Sequence, residues 1–298
     1  MRNPAKIFRW FIQARRAADY ARQLGLPGMQ IDRFGRQAGW RLLMRMKRPG
    51  LRWLLQPIDF LRYFEFQFAW DHLGENCTQC LDVSSPALFS FFYAHARPAA
   101  RIILTNPDMR DTELSRKTAR CLGIENIESV VVQAADFARE QNRFDAIWSL
   151  SVFEHIAGDG DTAAVHKLFR ALKPGGKMVL TVMVDRHFHD EYCDEDVYQL
   201  GAAKGVSGYF FQRYYDKEAI YARLLSGGLA GYCRELGWYG EKQAGRYHWY
   251  VKRAREGYDY SWGVNEPCEA VNQYCSYATW EEMPGVGVAA LVLQKPGE

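Results

Sequence analysis

Cys80–Phe89 reads CLDVSSPALF: apolar residues around one acid, a two-residue polar turn, then the start of an apolar helix. That order predicts a strand, a tight turn and a helix whose first turn looks at the strand tip. Ser85 suits the N-cap, and Pro86 suits the first helical position, where its missing N–H costs nothing. The unpaired N–H groups of that first turn, at the positive end of the helix dipole, favour a carboxylate or phosphate. Glycines usually form such a turn because they allow the closest backbone approach to a ligand. Ser84 and Ser85 stand in their place here, and their N–H groups serve as well wherever φ stays negative.

Downstream of this unit the chain alternates. Apolar runs at Gln79–Val83, Arg101–Thr105, Ser129–Gln133, Asp145–Leu150 and Met178–Val184 predict strands, with helices between most of them near 86–96, 109–122 and 160–172. Such alternation builds βαβ units and a parallel sheet covered on both faces, an α/β fold of the Rossmann-like, doubly wound kind. Lys173-Pro174-Gly175-Gly176 has type II turn chemistry. A helix over about Asp216–Ser226 and two strands near Gly231–Tyr239 and Val286–Gln294 complete the pattern.

Upstream, residues 1–73 read as helices. Ile7, Phe8, Phe11 and Ile12 share one face of the first, interleaved with Arg9, Arg15 and Arg16. Pro27-Gly28 and Pro49-Gly50 are expected breaks, and the third helix, IDFLRYFEFQFAWDHL, leads into the first strand. The charge is uneven: residues 1–70 hold fourteen Lys/Arg against four Asp/Glu, and the remainder holds twenty-four against thirty-one. The basic part suits an anionic membrane surface or lipid-linked substrate, a phosphorylated substrate or nucleic acid, or a plain lid or oligomer surface. No recognised nucleic-acid-binding motif supports the second of these.

Composition excludes other classes. The chain has 298 residues, 48% hydrophobic and 24% charged, ordinary for a globular protein. No apolar run reaches the roughly eighteen residues of a membrane span. The N-terminus is a poor signal peptide, so the expected location is cytoplasmic, with membrane-peripheral contact open. Seven cysteines, an odd number, imply reduced thiols, and the lone Cys77-x-x-Cys80 lacks a second pair for zinc.

CLDVSSP, IILTNPD, VVQAADF, FDAIWSLSVFEHI and LFRALKPGGKMVLTVMV, in this order over about 76–185, resemble a class I S-adenosylmethionine-dependent methyltransferase. The RYFEF helix is similar to a subset that modifies glycans or natural products. The resemblance implies a seven-stranded sheet of order 3-2-1-4-5-7-6 with an antiparallel seventh strand, and S-adenosylmethionine along the tips of the first four. It implies that Asp82, Ser84 and Ser85 meet the methionine end. Asn106 stands where an acid usually grips the ribose, with Asp108 as a substitute. Asp136 would contact the adenine amine, and Ser149 and Ser151 would lie beside the sulfonium.

The expected organisation is a basic helical cap at 1–73 and a methyltransferase domain at 74–298, with substrate loops at about 185–215 and 240–284. The expected acceptor is a glycan or small metabolite, methylated at oxygen. His155, His187 and His189 are the candidate general bases, and Arg213, Tyr214 and Tyr215 the candidate substrate contacts. No metal is expected, although DRHFHDEYCDED gathers histidines and acids. Ser151 and Glu154 have capping-box spacing. Two other readings stay open. A nicotinamide oxidoreductase would lack its GxGxxG fingerprint, and a catalytically silent scaffold is consistent with the serine turn and Asn106.

Overall fold

The computed structural model describes residues 4–132, 140–197, 204–256 and 263–297. Five parallel strands form its centre: β1 (Gln79–Val83), β2 (Arg101–Asn106), β3 (Ile127–Val131), β4 (Phe144–Leu150) and β5 (Leu172–Val184). A two-stranded antiparallel ribbon, β6 (His189–Cys193) and β7 (Tyr209–Tyr214), follows. β8 (Cys233–Glu241), β9 (Tyr274–Tyr277) and β10 (Gly287–Gln294) then complete a sheet of order β3-β2-β1-β4-β5-β10-β8-β9.

β10 is antiparallel to both β5 and β8. The 3-2-1-4-5-7-6 arrangement is therefore present, with β9 as an eighth edge strand inside the expected 240–284 loop. β3 begins two residues earlier than its apolar run. Gly175 takes φ +79, as a type II turn after Pro174 requires.

Central strands are buried on both faces, and their side chains divide by period two. Ala146, Trp148, Leu150, Val179 and Met183 enter one core, while Ile147, Met178, Leu180 and Val182 enter the other. α6 (Gly160–Ala171) covers the second face. The first is covered by α4 (Ala87–Ala96) together with the N-terminal helices α1 (Pro4–Gln23), α2 (Met29–Leu55) and α3 (Arg62–His72). Phe66 of α3 packs on Phe89 of α4, and Phe64 stacks on Tyr239 of β8 at 4.7 Å. The N-terminal helices thus supply a layer of the sheet's own core.

The buried face of α1 is Trp10, Ala14, Ala17, Ala18 and Ala21, whereas Phe8 and Ile12 point to water. Small alanines let α1 lie close against α7 (Glu266–Gln273), where the Cys268 thiol meets the Ala17 carbonyl at 3.7 Å. The break expected at Pro49-Gly50 falls slightly earlier: α2 is two helical pieces that meet at a kink with non-helical backbone at Met46 and Lys47, which frees the Pro49 ring from the turn that precedes it. A Cβ on Gly50 would sit 2.3 Å from the Leu43 amide, so only glycine permits this fold-back.

Inside that layer, Asp32 is fully buried and accepts from Arg36 Nε at 2.7 Å and Tyr63 Oη at 3.0 Å, pinning α2 to α3. Among the described residues no helix is long and apolar enough to cross a membrane.

Candidate functional site at the tips of the central strands

The serine turn is built differently from the expectation. Asp82 is fully buried at the end of β1; its Oδ1 accepts the Ser85 N–H at 2.9 Å and its Oδ2 accepts from Ser90 Oγ. The Ser90 hydroxyl in turn accepts from Trp148 Nε1 at 3.1 Å. Burial pushes the Asp82 carboxyl up to about 6, opposed by the Ser90 and Ser85 bonds.

Ser84 adopts φ +57, and its N–H bonds to the Thr105 carbonyl at 3.0 Å. Both serine amides are therefore engaged within the protein, one by Asp82 and one by β2. Pro86, not Ser85, occupies the N-cap of α4, and Ser85 Oγ accepts from the Leu150 N–H at 3.0 Å instead. The turn is a bracket tying β1, β2 and β4 together, and α4 begins at its edge.

At the tip of β2, Asn106 Oδ1 accepts the Asp108 N–H at 2.8 Å. Asp108 caps α5 (Met109–Leu122), accepting the Arg110 N–H at 2.8 Å. Its carboxyl lies below the usual range because Arg110 bonds to it. Ser149 is buried and donates to the Val83 carbonyl at 3.0 Å. Asp136 lies outside the described residues. The tips of β1, β2 and β4 thus bring Asp82, Ser84, Ser85, Asn106, Ser149 and Ser151 into one neighbourhood.

The chemistry concentrates just beyond Ser151. This residue takes φ +51, turns the chain off β4, and donates its Oγ to Glu65 of α3. Glu65 is fully buried, and its Oε1 also accepts from Thr181 Oγ1 of β5 at 2.6 Å. Arg62, one helical turn away, sends Nη1 toward Glu65 Oε2 at 3.4 Å. The capping box does not form. The following single turn, Phe153–His155, has Val152 at its N-cap with no side-chain bond, since Glu65 has taken the Ser151 hydroxyl.

Glu154 is fully buried, and among the described residues neither of its oxygens meets a hydrogen-bond partner of good geometry. Burial pushes its carboxyl up to about 8; the charge of Glu65 adds to this, while Arg62 and the nearby amides of Glu154 and Met183 oppose it. A buried acid without partners is costly.

His155 is next in line. Its Nδ1 lies 2.8 Å from the Phe211 carbonyl, which can only accept, so Nδ1 carries the proton and Nε2 the lone pair. Burial lowers the imidazole to about 4, against the opposing bond to Phe211, so the ring is neutral near pH 7. Across from it, Glu191 of β6 accepts from Gln212 Nε2 at 2.7 Å and Tyr214 Oη at 3.2 Å.

His187 and His189 are exposed, and His189 stacks on the Tyr214 ring at 4.7 Å. Arg213 and Tyr215 are not turned toward the strand tips. Both bind the buried Asp161 of α6, at 2.9 and 2.6 Å, beside Arg223. Tyr214 is the member of that trio facing the Glu191 network. Among the described residues no three His, Cys, Asp or Glu converge as metal ligands.

The sequence marked Glu191 only as one acid of the DRHFHDEYCDED cluster and gave Glu65 and Arg62 no role. The available signal was Glu65 itself, an acid between Phe64 and Phe66 on an aromatic helix, where burial demands a partner.

This donor set fits a cofactor with fixed positive charge. Glu65 and Glu154 lie in the interior under the influence of Arg62. A sulfonium or ammonium group brought beside them would favour the ionised form of Glu154 and be favoured by it in turn.

Residues 84–176 match the family model of a methyltransferase domain. No curated protein sequence matches the chain. Among solved structures, the chain is similar to an S-adenosylmethionine-dependent methyltransferase of Thermotoga maritima, with 15% identity over 86% of this chain and 99% of that one and a TM-score of 0.48. It is also similar to a geranyl diphosphate C-methyltransferase from Streptomyces coelicolor, with 13% identity over 78% and 77% of the two chains and a TM-score of 0.48.

Proposed function

We propose that this chain, whose residues 84–176 match the family model of a methyltransferase domain, is a class I S-adenosylmethionine-dependent enzyme that methylates a sugar or other small metabolite at oxygen. The observation that carries the acceptor's chemistry is His155, a neutral imidazole with its proton fixed on Nδ1 by the Phe211 carbonyl. A hydroxyl must lose its proton as its oxygen is alkylated, and Nε2 is a base of the right kind to take it.

Bound S-adenosylmethionine supplies an electron-poor methyl group on a sulfonium that leaves as a neutral thioether. Everything else falls to the chain. Glu154 and Glu65 would hold the positively charged part, and the bracket of Asp82, Ser84 and Ser85 keeps the strand tips in register around it. His155 takes the acceptor's proton. The resulting imidazolium is favoured by the charge of Glu191 and disfavoured by that of Arg62. Positioning supplies the remainder, since an in-line displacement gains most from holding the two reactants at attack distance.

Calorimetric titration with S-adenosylmethionine and its demethylated product, with NADH as control, tests the cofactor. His155→Asn tests the base. It is expected to leave cofactor affinity unchanged and to lower kcat on a hydroxyl acceptor by about 10²- to 10⁴-fold. A variant that loses neither rate nor its dependence on pH would reject oxygen methylation through this histidine.

A further inference from the structure

α1 and α2 carry a surface that the methyl-transfer site does not use. Arg9, Arg15 and Arg16 are exposed on α1; Arg33, Arg41, Arg45, Lys47 and Arg48 are exposed on α2. None of these eight cations meets an acidic partner among the described residues. The only acids between residues 4 and 48 are Asp19, paired with Arg22, and Asp32, buried under Arg36.

Large apolar side chains stand among the cations: Phe8 is 65% exposed, Ile12 37%, Trp40 52% and Met44 86%. Their spacing is helical. Phe8 and Ile12 fall one turn apart on α1, and Trp40 and Met44 fall one turn apart on α2, with Arg41 and Arg45 beside them. The Phe11 ring meets the Trp40 ring edge-on at 5.4 Å, which sets the two stripes side by side.

From this we infer that the α1–α2 face docks the enzyme onto an anionic lipid bilayer. Cations alone would suit any polyanion. What selects the bilayer is the combination, because an interface takes basic groups at its headgroups and apolar side chains just beneath them. Phosphates of a duplex gain little from Phe8 or Met44. Neither helix is apolar enough to span a membrane, so the pair lies on the surface. This docking stands independently of which acceptor is methylated.

Co-sedimentation of the full chain with vesicles of phosphatidylcholine, with and without phosphatidylglycerol, tests it. The protein is expected to pellet with the anionic vesicles and to be released as salt rises. Arg41→Ala with Arg45→Ala should weaken partitioning roughly 25-fold, about fivefold for each basic residue lost. Phe8→Ser with Met44→Ser, which keeps every charge, should weaken it at least about tenfold. All four positions are solvent-exposed, and an unchanged melting curve confirms that the fold is intact. Failure to pellet with anionic vesicles overturns the inference. So does full retention of binding in the Phe8/Met44 variant. Salt-sensitive binding to duplex DNA or RNA, untouched by that variant and without vesicle binding, would assign the face to nucleic acid instead.

Discussion

Asp161 and Glu154 are both fully buried acids near the end of β4, yet their surroundings drive them in opposite directions. Asp161 accepts from Arg213, Arg223 and Tyr215 at 2.6–2.9 Å. Burial works to raise its carboxyl, but the bonds from Arg223, Tyr215 and the Thr162 amide outweigh burial and hold it below the usual range. Glu154 has the same burial without those partners, and its carboxyl rises to about 8. A saturated buried acid is structure: it ties α6 to β7 and to the π-helical turn Ile220–Leu224. An unsaturated one at a strand tip is a site prepared for something not made of protein.

The sharpest way to break this comparison is to remove the structural acid. Asp161→Ala leaves Arg213, 2% exposed, without its main counter-ion. Urea unfolding should show a loss of about 3–5 kcal/mol. If stability fell by much less, the cluster would not be the anchor described.

Glu154→Gln comes next. It mimics the protonated acid without the cost of taking up a proton, so stability near pH 7 should rise, while affinity for S-adenosylmethionine, read calorimetrically, should fall about tenfold, or ~1.4 kcal/mol. Unchanged affinity would make Glu154 an unused acid.

The pH dependence separates the two acids by sign. Glu154 is raised from 4.5 to about 8 in the fold, so its contribution is full below the unfolded value and is lost as pH rises through about 8. Melting curves of Glu154→Gln should lose that downward slope. Asp161 is depressed, so its contribution is present above the ordinary 3.8 and is lost as pH falls through the folded value.

The smallest effect expected is at the turn. Ser84 holds φ +57, which favours glycine. Ser84→Gly should raise stability by at most about 1–2 kcal/mol with cofactor affinity unchanged. A loss of affinity would mean that the Ser84 hydroxyl binds the cofactor directly.

Much of the fold was legible because its central strands lie in a sheet buried on both faces. Continuous apolar runs such as Met178–Val184 then mark position without ambiguity. The ribbon β6–β7 and the edge strand β9 were not, because half-exposed strands such as HDEYC and YCSY carry no comparable apolar signal. The same split runs through the site. His155, Asp82 and Ser151 could be placed near the strand tips because they sit at the ends of those readable strands. Glu65 was hidden, since it reaches the site from an element whose packing partners are distant in sequence. Glu65 meets Ser151 across 86 positions and Thr181 across 116.

By itself, then, the sequence determined the order of βαβ units, the resemblance of its central motifs to a methyltransferase domain and the basic character of the first seventy residues, all of which are local pattern or composition. Only the tertiary structure decided that the N-terminal helices are a layer of the core. Only it turned the serine turn into an internal bracket, left Phe8 and Met44 in water, and set an unpartnered Glu154 beside Glu65. Local sequence fixes what a segment can become; whether a buried acid or an exposed ring has a partner depends on which distant residues the fold brings beside it.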